Sequence, residues 1–372
     1  MNRRQMLAGC VSAGACLATA WTARATVASA STPRIVFLNP GEEVERGTGQ
    51  HWQLVSRFMA ATAARFGMQL EVLYAERDHL LMLRQAEAVA ARNDPPDYVV
   101  IVNEKMAAQQ MLHALAHSPA KVLLIHNDLT DAQRAETGNE RGTIKNWIGT
   151  VTADAFQGSF RLMDYLCRQI GDRPARVIGI TGDPITPVSK ARAQGVAAAL
   201  SRKPEDRVEQ LVYGDWSFAD GRDKARVLLA RYPNANIVWA ANDSMTLGAL
   251  AAVREHRAPI VVGGLGALPE AVASVMRGDL AAIVAGDQFI GACAMVALYD
   301  YHHGVDFAQP DGPRLKLDYL TVLSRDNASR YYKIAFDQGT APDFSGFSRY
   351  RRRAARYDFN LQVLLDPASK AA

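Results

Sequence analysis

Short, almost wholly apolar runs alternate with amphipathic stretches from Arg34 onward, and this rhythm limits the chain more than any single motif does. Strands are predicted over 35–38, 70–74, 98–102 and 122–125, with helices over 52–66, 80–92 and 107–117 between them. Strands that short and that continuously apolar belong in a parallel sheet covered on both faces. Residues 130–145 are rich in Gln, Arg, Glu, Thr, Gly and Asn, offer no buried face, and read as a surface excursion. The alternation then resumes. Strands are expected over 147–151, 177–180, 208–213, 237–241, 260–262, 280–284 and 316–323, and helices over 155–170, 189–200, 220–231, 245–256, 269–276 and 290–301. The fold class is therefore α/β: two doubly wound, Rossmann-like parallel-sheet lobes joined by a hinge.

The first thirty residues are set apart. Arg3-Arg4 precedes a small-residue apolar stretch, and Ala28-Ser29-Ala30 supplies a small-x-small cleavage site, so residues 1–30 read as an export signal. Arg3-Arg4-Gln5-Met6-Leu7 is also similar to the twin-arginine motif, and the expected location is the periplasm. Leu7-Ala8-Gly9-Cys10 matches a lipoprotein box by letters but lacks an apolar core ahead of it. A 372-residue chain with 49% hydrophobic and 22% charged residues is long enough for two lobes, and a net charge of +4 gives no basic stripe for nucleic acid. Cys167 and Cys293 fall in apolar helical patterns on different lobes, where a bridge would lock the hinge; both are expected as free thiols.

Ligands of open α/β sheets sit beyond the carboxyl ends of the strands. Those positions hold residues 39–43 with His51-Trp52, then Glu76-Arg77-Asp78, Asn103-Glu104 and His126-Asn127-Asp128. In the second half they hold Asp183 with Ser189 and Arg192, then Asp215-Trp216, Asn242-Asp243, Gly263-Gly264 and Gly286-Asp287-Gln288. Arg, Asn and carboxylates together can donate to and accept from several hydroxyls, while indole faces cover the apolar side of a sugar ring. The competing role is local. Asn and Asp after a strand are good helix caps and turn formers, and for Asp78, Asn103, Asp128 and Asp183 taken singly capping outweighs binding.

Three motifs carry a family resemblance. Residues 149–158 (Gly-Thr-Val-Thr-Ala-Asp-Ala-Phe-Gln-Gly), the Arg192-x-x-Gly195 element and Ala241-Asn242-Asp243 resemble the type I periplasmic binding proteins, the ribose-binding group above all. The resemblance spans essentially the whole chain after the signal. It implies lobe 1 over 33–150 plus 288–318, lobe 2 over 151–287 plus 319–345, and a basic tail over 346–372. It also implies ligand contacts from Arg192 and Asn242, stacking by Trp52 and Trp216, and a polar contact from Asn127. Residues 39–43 with Trp52 are similar to a loop of autoinducer-2 binding proteins. The family's Val-Gly-Phe-Asp is replaced here by Val262-Gly263-Gly264-Leu265, so the hydroxyl-gripping carboxylate is missing and Glu43 or Asp287 is expected in its stead.

Together these features imply a receptor that closes over a carbohydrate-like small molecule, without catalysis or cofactor. Its membrane partner is expected to be an ABC permease or, as the alternative, a sensor such as a histidine kinase; the chain itself is expected as a monomer that binds no nucleic acid. Repressors of the LacI type share this ligand-binding fold, but no helix-turn-helix precedes Arg34. The His113/His117 pair has metal-like spacing but no third ligand, and His302-His303 sits at a helix end, where cations suit the dipole. The arginines of the tail read as a solvated face or a strap across the lobes. No P-loop, dinucleotide fingerprint or nucleophile elbow is found, which leaves an exported α/β enzyme without a motif.

Overall fold

Residues 32–46, 49–256, 259–337 and 341–361 are described by the computed structural model; the expected export signal and the last eleven residues of the tail lie outside them. In chain order the first half runs β1 (Arg34–Asn39), α1 (His51–Phe66), β2 (Gln69–Tyr74), α2 (His79–Ala90), β3 (Tyr98–Val102), α3 (Ala108–Leu115), β4 (Lys121–Ile125), α4 (Asp131–Thr137) and β5 (Trp147–Ala153). The second runs α5 (Ala155–Gln169), β6 (Arg176–Thr181), α6 (Pro187–Leu200), β7 (Arg207–Tyr213), α7 (Phe218–Arg231), β8 (Ile237–Ala240), α8 (Asp243–His256), β9 (Val261–Leu265), α9 (Pro269–Arg277) and β10 (Ala282–Ala285). Then come α10 (Ile290–His302), β11 (Arg314–Leu317), β12 (Thr321–Leu323), α11 (Arg325–Tyr332) and α12 (Arg349–Arg352).

Two six-stranded sheets result, in the orders β11-β5-β4-β3-β1-β2 and β12-β10-β9-β8-β6-β7. All pairings are parallel except that of β12 with β10. The apolar runs are the buried centres: every residue of β3 and of β8 is buried, as a sheet covered on both faces demands. The chain leaves the first sheet after Ala153 and returns after Ala285, where α10 packs on α1; it crosses again between Leu317 and Thr321. Cys167 on α5 and Cys293 on α10 are both unpaired. Among the described residues no helix is long and apolar enough to cross a membrane.

Two expectations need correction, and the tail can be placed. The single strand over 316–323 is two, β11 and β12, in different sheets, because Asp318-Tyr319-Leu320 carries the chain from one lobe to the other. The excursion over 130–145 contains α4, which starts in a capping box: Thr130 Oγ1 accepts the Gln133 N–H, and Gln133 Oε1 accepts the Thr130 N–H. Its polar residues build a buried network in which Arg134 pairs with Asp128 and Glu140, and Thr150 Oγ1 donates to Glu140 at 2.6 Å. The described part of the tail packs along α10 and reaches the crossing between the lobes. Buried Asp300 accepts Ser348 Oγ, the Arg349 N–H and the Tyr357 hydroxyl; Arg351 lies 4.6 Å from the Phe66 ring centre, and Leu361 reaches Gly286.

Glycine sets one approach that matters for the site. Helices α7 and α8 meet backbone to backbone: a Cβ on Gly221 would lie 2.5 Å from Met245 Cα, and one on Gly248 would strike the Phe218 carbonyl. Ordinarily Gly→Ala inside a helix gains up to about 1 kcal/mol. Here Gly248→Ala is expected to cost about 1–3 kcal/mol instead, because main chain cannot yield as a rotamer does. A lowered urea midpoint is the expected outcome, and a raised one would refute the close approach.

Candidate ligand-binding site

The carboxyl ends of the two sheets face each other across a cavity. The first lobe contributes His51, Trp52, Arg77, Glu104, His126 and Asn127, and the second contributes Thr186, Val188, Arg192, Trp216, Asn242, Asp243, Ser244, Leu265, Gly266 and Leu268; Asp287 stands where the chain passes back. The centres of water-sized molecules have about 70 Å³ to occupy. At ~10–15 Å³ for one water, that is room for several waters or one small polyol. The lobes touch around it: Asn127 Oδ1 accepts the Val188 N–H at 3.2 Å, and Gly49 is packed on Ser244 and Leu268.

Arg192 and Asp287 form the floor. Arg192, on α6, donates to the Ala241 carbonyl at 2.7 Å and to Asp287 Oδ2 at 2.6 Å, with side chains only 5% and 7% exposed. His126 Nε2 lies 3.2 Å from the same carboxylate oxygen. Burial alone would raise the pKa of Asp287, but His126 and Arg192 hold it well below the usual carboxylate range. Opposite them, the carboxyl group of Asp243 accepts the Leu268 N–H, and its burial raises the pKa to about 7. Glu104 pairs with Arg77 at 2.9 Å. Burial also pushes His51 down to about 3, so that imidazole is neutral.

Both indoles are fixed by their neighbours. Trp52, on the first turn of α1, lies against Gly41 and has the rings of His51 and His126 each at 5.0 Å. Trp216 follows β7 at a φ of 73° and fills the space over Gly182, where a side chain would collide with it. Several polar atoms remain unanswered among the described residues: His51 Nε2, His126 Nδ1, Arg192 Nε and Ser189 Oγ are buried with no hydrogen-bond partner. Such an atom costs about 1–3 kcal/mol, so a cluster of them is a place prepared for a ligand or water.

Of the seven residues expected from the sequence, Trp52, Asn127, Arg192, Trp216, Asn242 and Asp287 come together in this wall. Glu43 does not: it sits on an exposed turn, where its N–H donates to Glu76 Oε1 at 3.0 Å. Asn242 has a structural duty as well, its Oδ1 capping α8 through the Met245 N–H at 3.0 Å and its Nδ2 donating to the Trp216 carbonyl at 2.9 Å. Asp78, Asp128 and Asp183 accept nearby backbone N–H groups, and Asn103 accepts that of Ala108, the capping and turn roles open to such residues. Leu265 faces the cavity where the resemblance implied a carboxylate; the wall's acidic groups are Glu104, Asp243 and Asp287. His51, Arg77, Glu104 and His126 were visible only as strand-end residues. Left-handed backbone, φ 61° and 66°, aims Arg77 and His126, and nothing in a non-glycine sequence announces it.

Comparison with known proteins places these observations. Residues 44–304 match the family described as periplasmic binding protein domain. The crystal structure of a periplasmic sugar-binding protein from Pseudomonas fluorescens is 33% identical, superposes with a TM-score of 0.79, and covers 90% of this chain and 99% of its own. The galactofuranose-binding protein of Escherichia coli K12 is 25% identical over 189 residues, 49% of this chain and 58% of the relative. The ribose import binding protein of Haemophilus influenzae is 27% identical over 159 residues, 42% of this chain and 54% of the relative. The chain thus spans little more than half the length of these two curated relatives.

Asp243 gives the site a pH signature. Its folded pKa lies above the unfolded value, so it costs nothing below about pH 4 and destabilises the folded state increasingly as pH rises to about 7. Asp243→Asn removes that cost and keeps an oxygen for the Leu268 N–H. The variant should match the parent near pH 4 and exceed it by on the order of 2–4 kcal/mol at pH 8. Urea unfolding across that range checks it; a gap that narrows with rising pH would be wrong in sign.

Proposed function

Since the chain belongs to the family of periplasmic binding protein domains, we propose that it is an exported solute receptor that closes its lobes over one small carbohydrate, a furanose or similar polyol, and hands it to an ABC permease. One observation carries the reading: a cavity held between two lobes, with an indole from each lobe and buried polar atoms left without partners. Trp52 and Trp216 offer apolar faces to the C–H side of a ring. Arg192, Asn127 and the carboxylates offer donors and acceptors to its hydroxyls. The relatives named for galactofuranose, ribose and sugar binding support the ligand class. In this reading the ligand leaves unchanged, and turnover of a bound sugar during incubation would count against it.

Thermal unfolding of the mature chain against pentoses, hexoses, their furanose-rich isomers and polyols tests the ligand class. At a hundredfold excess over the dissociation constant a true ligand should add roughly 2.7 kcal/mol. Trp216→Ala should weaken that ligand at least about tenfold, a loss of ~1.4 kcal/mol. A panel without any shift would sink the carbohydrate reading. Arg192→Ala is a poor probe, because it strands the buried carboxylate of Asp287 at a cost of about 3–5 kcal/mol in stability. Delivery to a permease is separated from presentation to a membrane sensor by the partner that co-purifies with the tagged chain.

A further inference from the structure

At one corner of the cavity, His51, His126 and Asp287 each bring one potential metal-ligand atom within 4.8 Å of the others. His126 Nε2 and Asp287 Oδ2 are 3.2 Å apart. Two donors on one tetrahedral ion, each ~2.0–2.1 Å from it, are separated by roughly 3.3 Å. That pair already has the spacing of two ligands of a single ion. His51 begins α1, His126 follows β4, and Asp287 begins a short 3-10 turn packed on α1, so the three come from the first lobe and the crossing into it.

The donors suit the task in other ways. His51 Nε2 is buried without a partner among the described residues, which leaves it available to ligate. The His126 side chain is only 7% exposed. Arg192 Nη2, 2.6 Å from Asp287 Oδ2, supplies the outer hydrogen bond that orients a ligating carboxylate.

We propose that His51, His126 and Asp287 form a binding site for one divalent transition-metal ion of the zinc type, with a fourth coordination position open to the cavity. Two imidazoles and one carboxylate select such an ion over magnesium or calcium, which take six or more oxygens. Of the other histidine pair of metal-like spacing, His113 lies on α3 and His117 in the turn after it; both are exposed, and among the described residues no third ligand joins them.

Calorimetric titration of the chelator-stripped mature chain with zinc chloride, and visible spectroscopy with cobalt(II), test the assignment. Expected are uptake of one equivalent of zinc and the intense visible bands of four-coordinate cobalt. His51→Gln and His126→Gln should each weaken zinc at least about tenfold and abolish the bands, whereas the double variant His113→Ala/His117→Ala should keep both. Absence of stoichiometric zinc uptake, the weak spectrum of octahedral cobalt, or zinc affinity that survives His51→Gln or disappears in the His113/His117 variant would overturn the site. The cobalt spectrum of the unaltered chain decides even if a variant fails to fold.

Discussion

The ion pair between Arg192 and Asp287 is the contact from which the rest of the cleft takes its register. Two charges removed from water cost several kcal/mol each unless their remaining valences are met. The fold meets most of them: the Ala241 carbonyl at the end of β8 takes one side of the guanidinium, and His126, beyond β4, stands on the shared carboxylate oxygen. One residue pair therefore ties together α6, the edge of the second sheet, the return crossing and the edge of the first sheet. Removing either partner would leave its mate buried and unpaired, so the pair constrains position far more than it adds stability.

Backbone strain gathers around the same edge. Among the described residues, Glu76, Arg77, Lys105, Met106, His126 and Trp216 all have positive φ, and they follow β2, β3, β4 and β7. A bulky L-residue in that region costs about 1–2 kcal/mol, and such residues persist only where packing over-determines them. Here the packing is identifiable: the Trp216 indole is seated over Gly182, and Arg77 is paired with Glu104. The chain thus tolerates conformational strain to aim side chains across the cleft, a pattern that favours a binding role for the cavity over a leftover packing defect.

The sequence made the periodic parts of this structure legible and hid the geometric ones. Continuous apolar runs such as Tyr98–Val102 can only be central strands, and their ends locate the cleft before any contact is known. Asn242 and Arg192 could be placed because motifs and strand ends coincide at them. Glu43 misled for a physical reason: a loop residue near a strand end has no obligation to point inward, and this one faces solvent. The strand over 316–323 misled because hydrophobic period says nothing about which sheet a residue joins. The role of Asp287 as partner to Arg192 lies 95 residues away in sequence and needed the fold.

The unpartnered atoms and the two-lobed wall belong to one argument. A cavity whose polar atoms are buried and unanswered is held at a cost, and that cost is relieved by opening to water or by a ligand that supplies the missing partners. A molecule that touches both walls at once gains contacts in the closed arrangement that it cannot gain in an open one, and only that difference lets a ligand shift such an equilibrium. Trp52 and His51 stand on one wall, Trp216 and Arg192 on the other, so a ring that reached both walls would meet atoms of both lobes together. An ion at His51, His126 and Asp287 would act differently. Its ligands sit on the first lobe and the crossing, so it would order that wall in the open and closed arrangements alike and leave the closing work to whatever reaches Trp216.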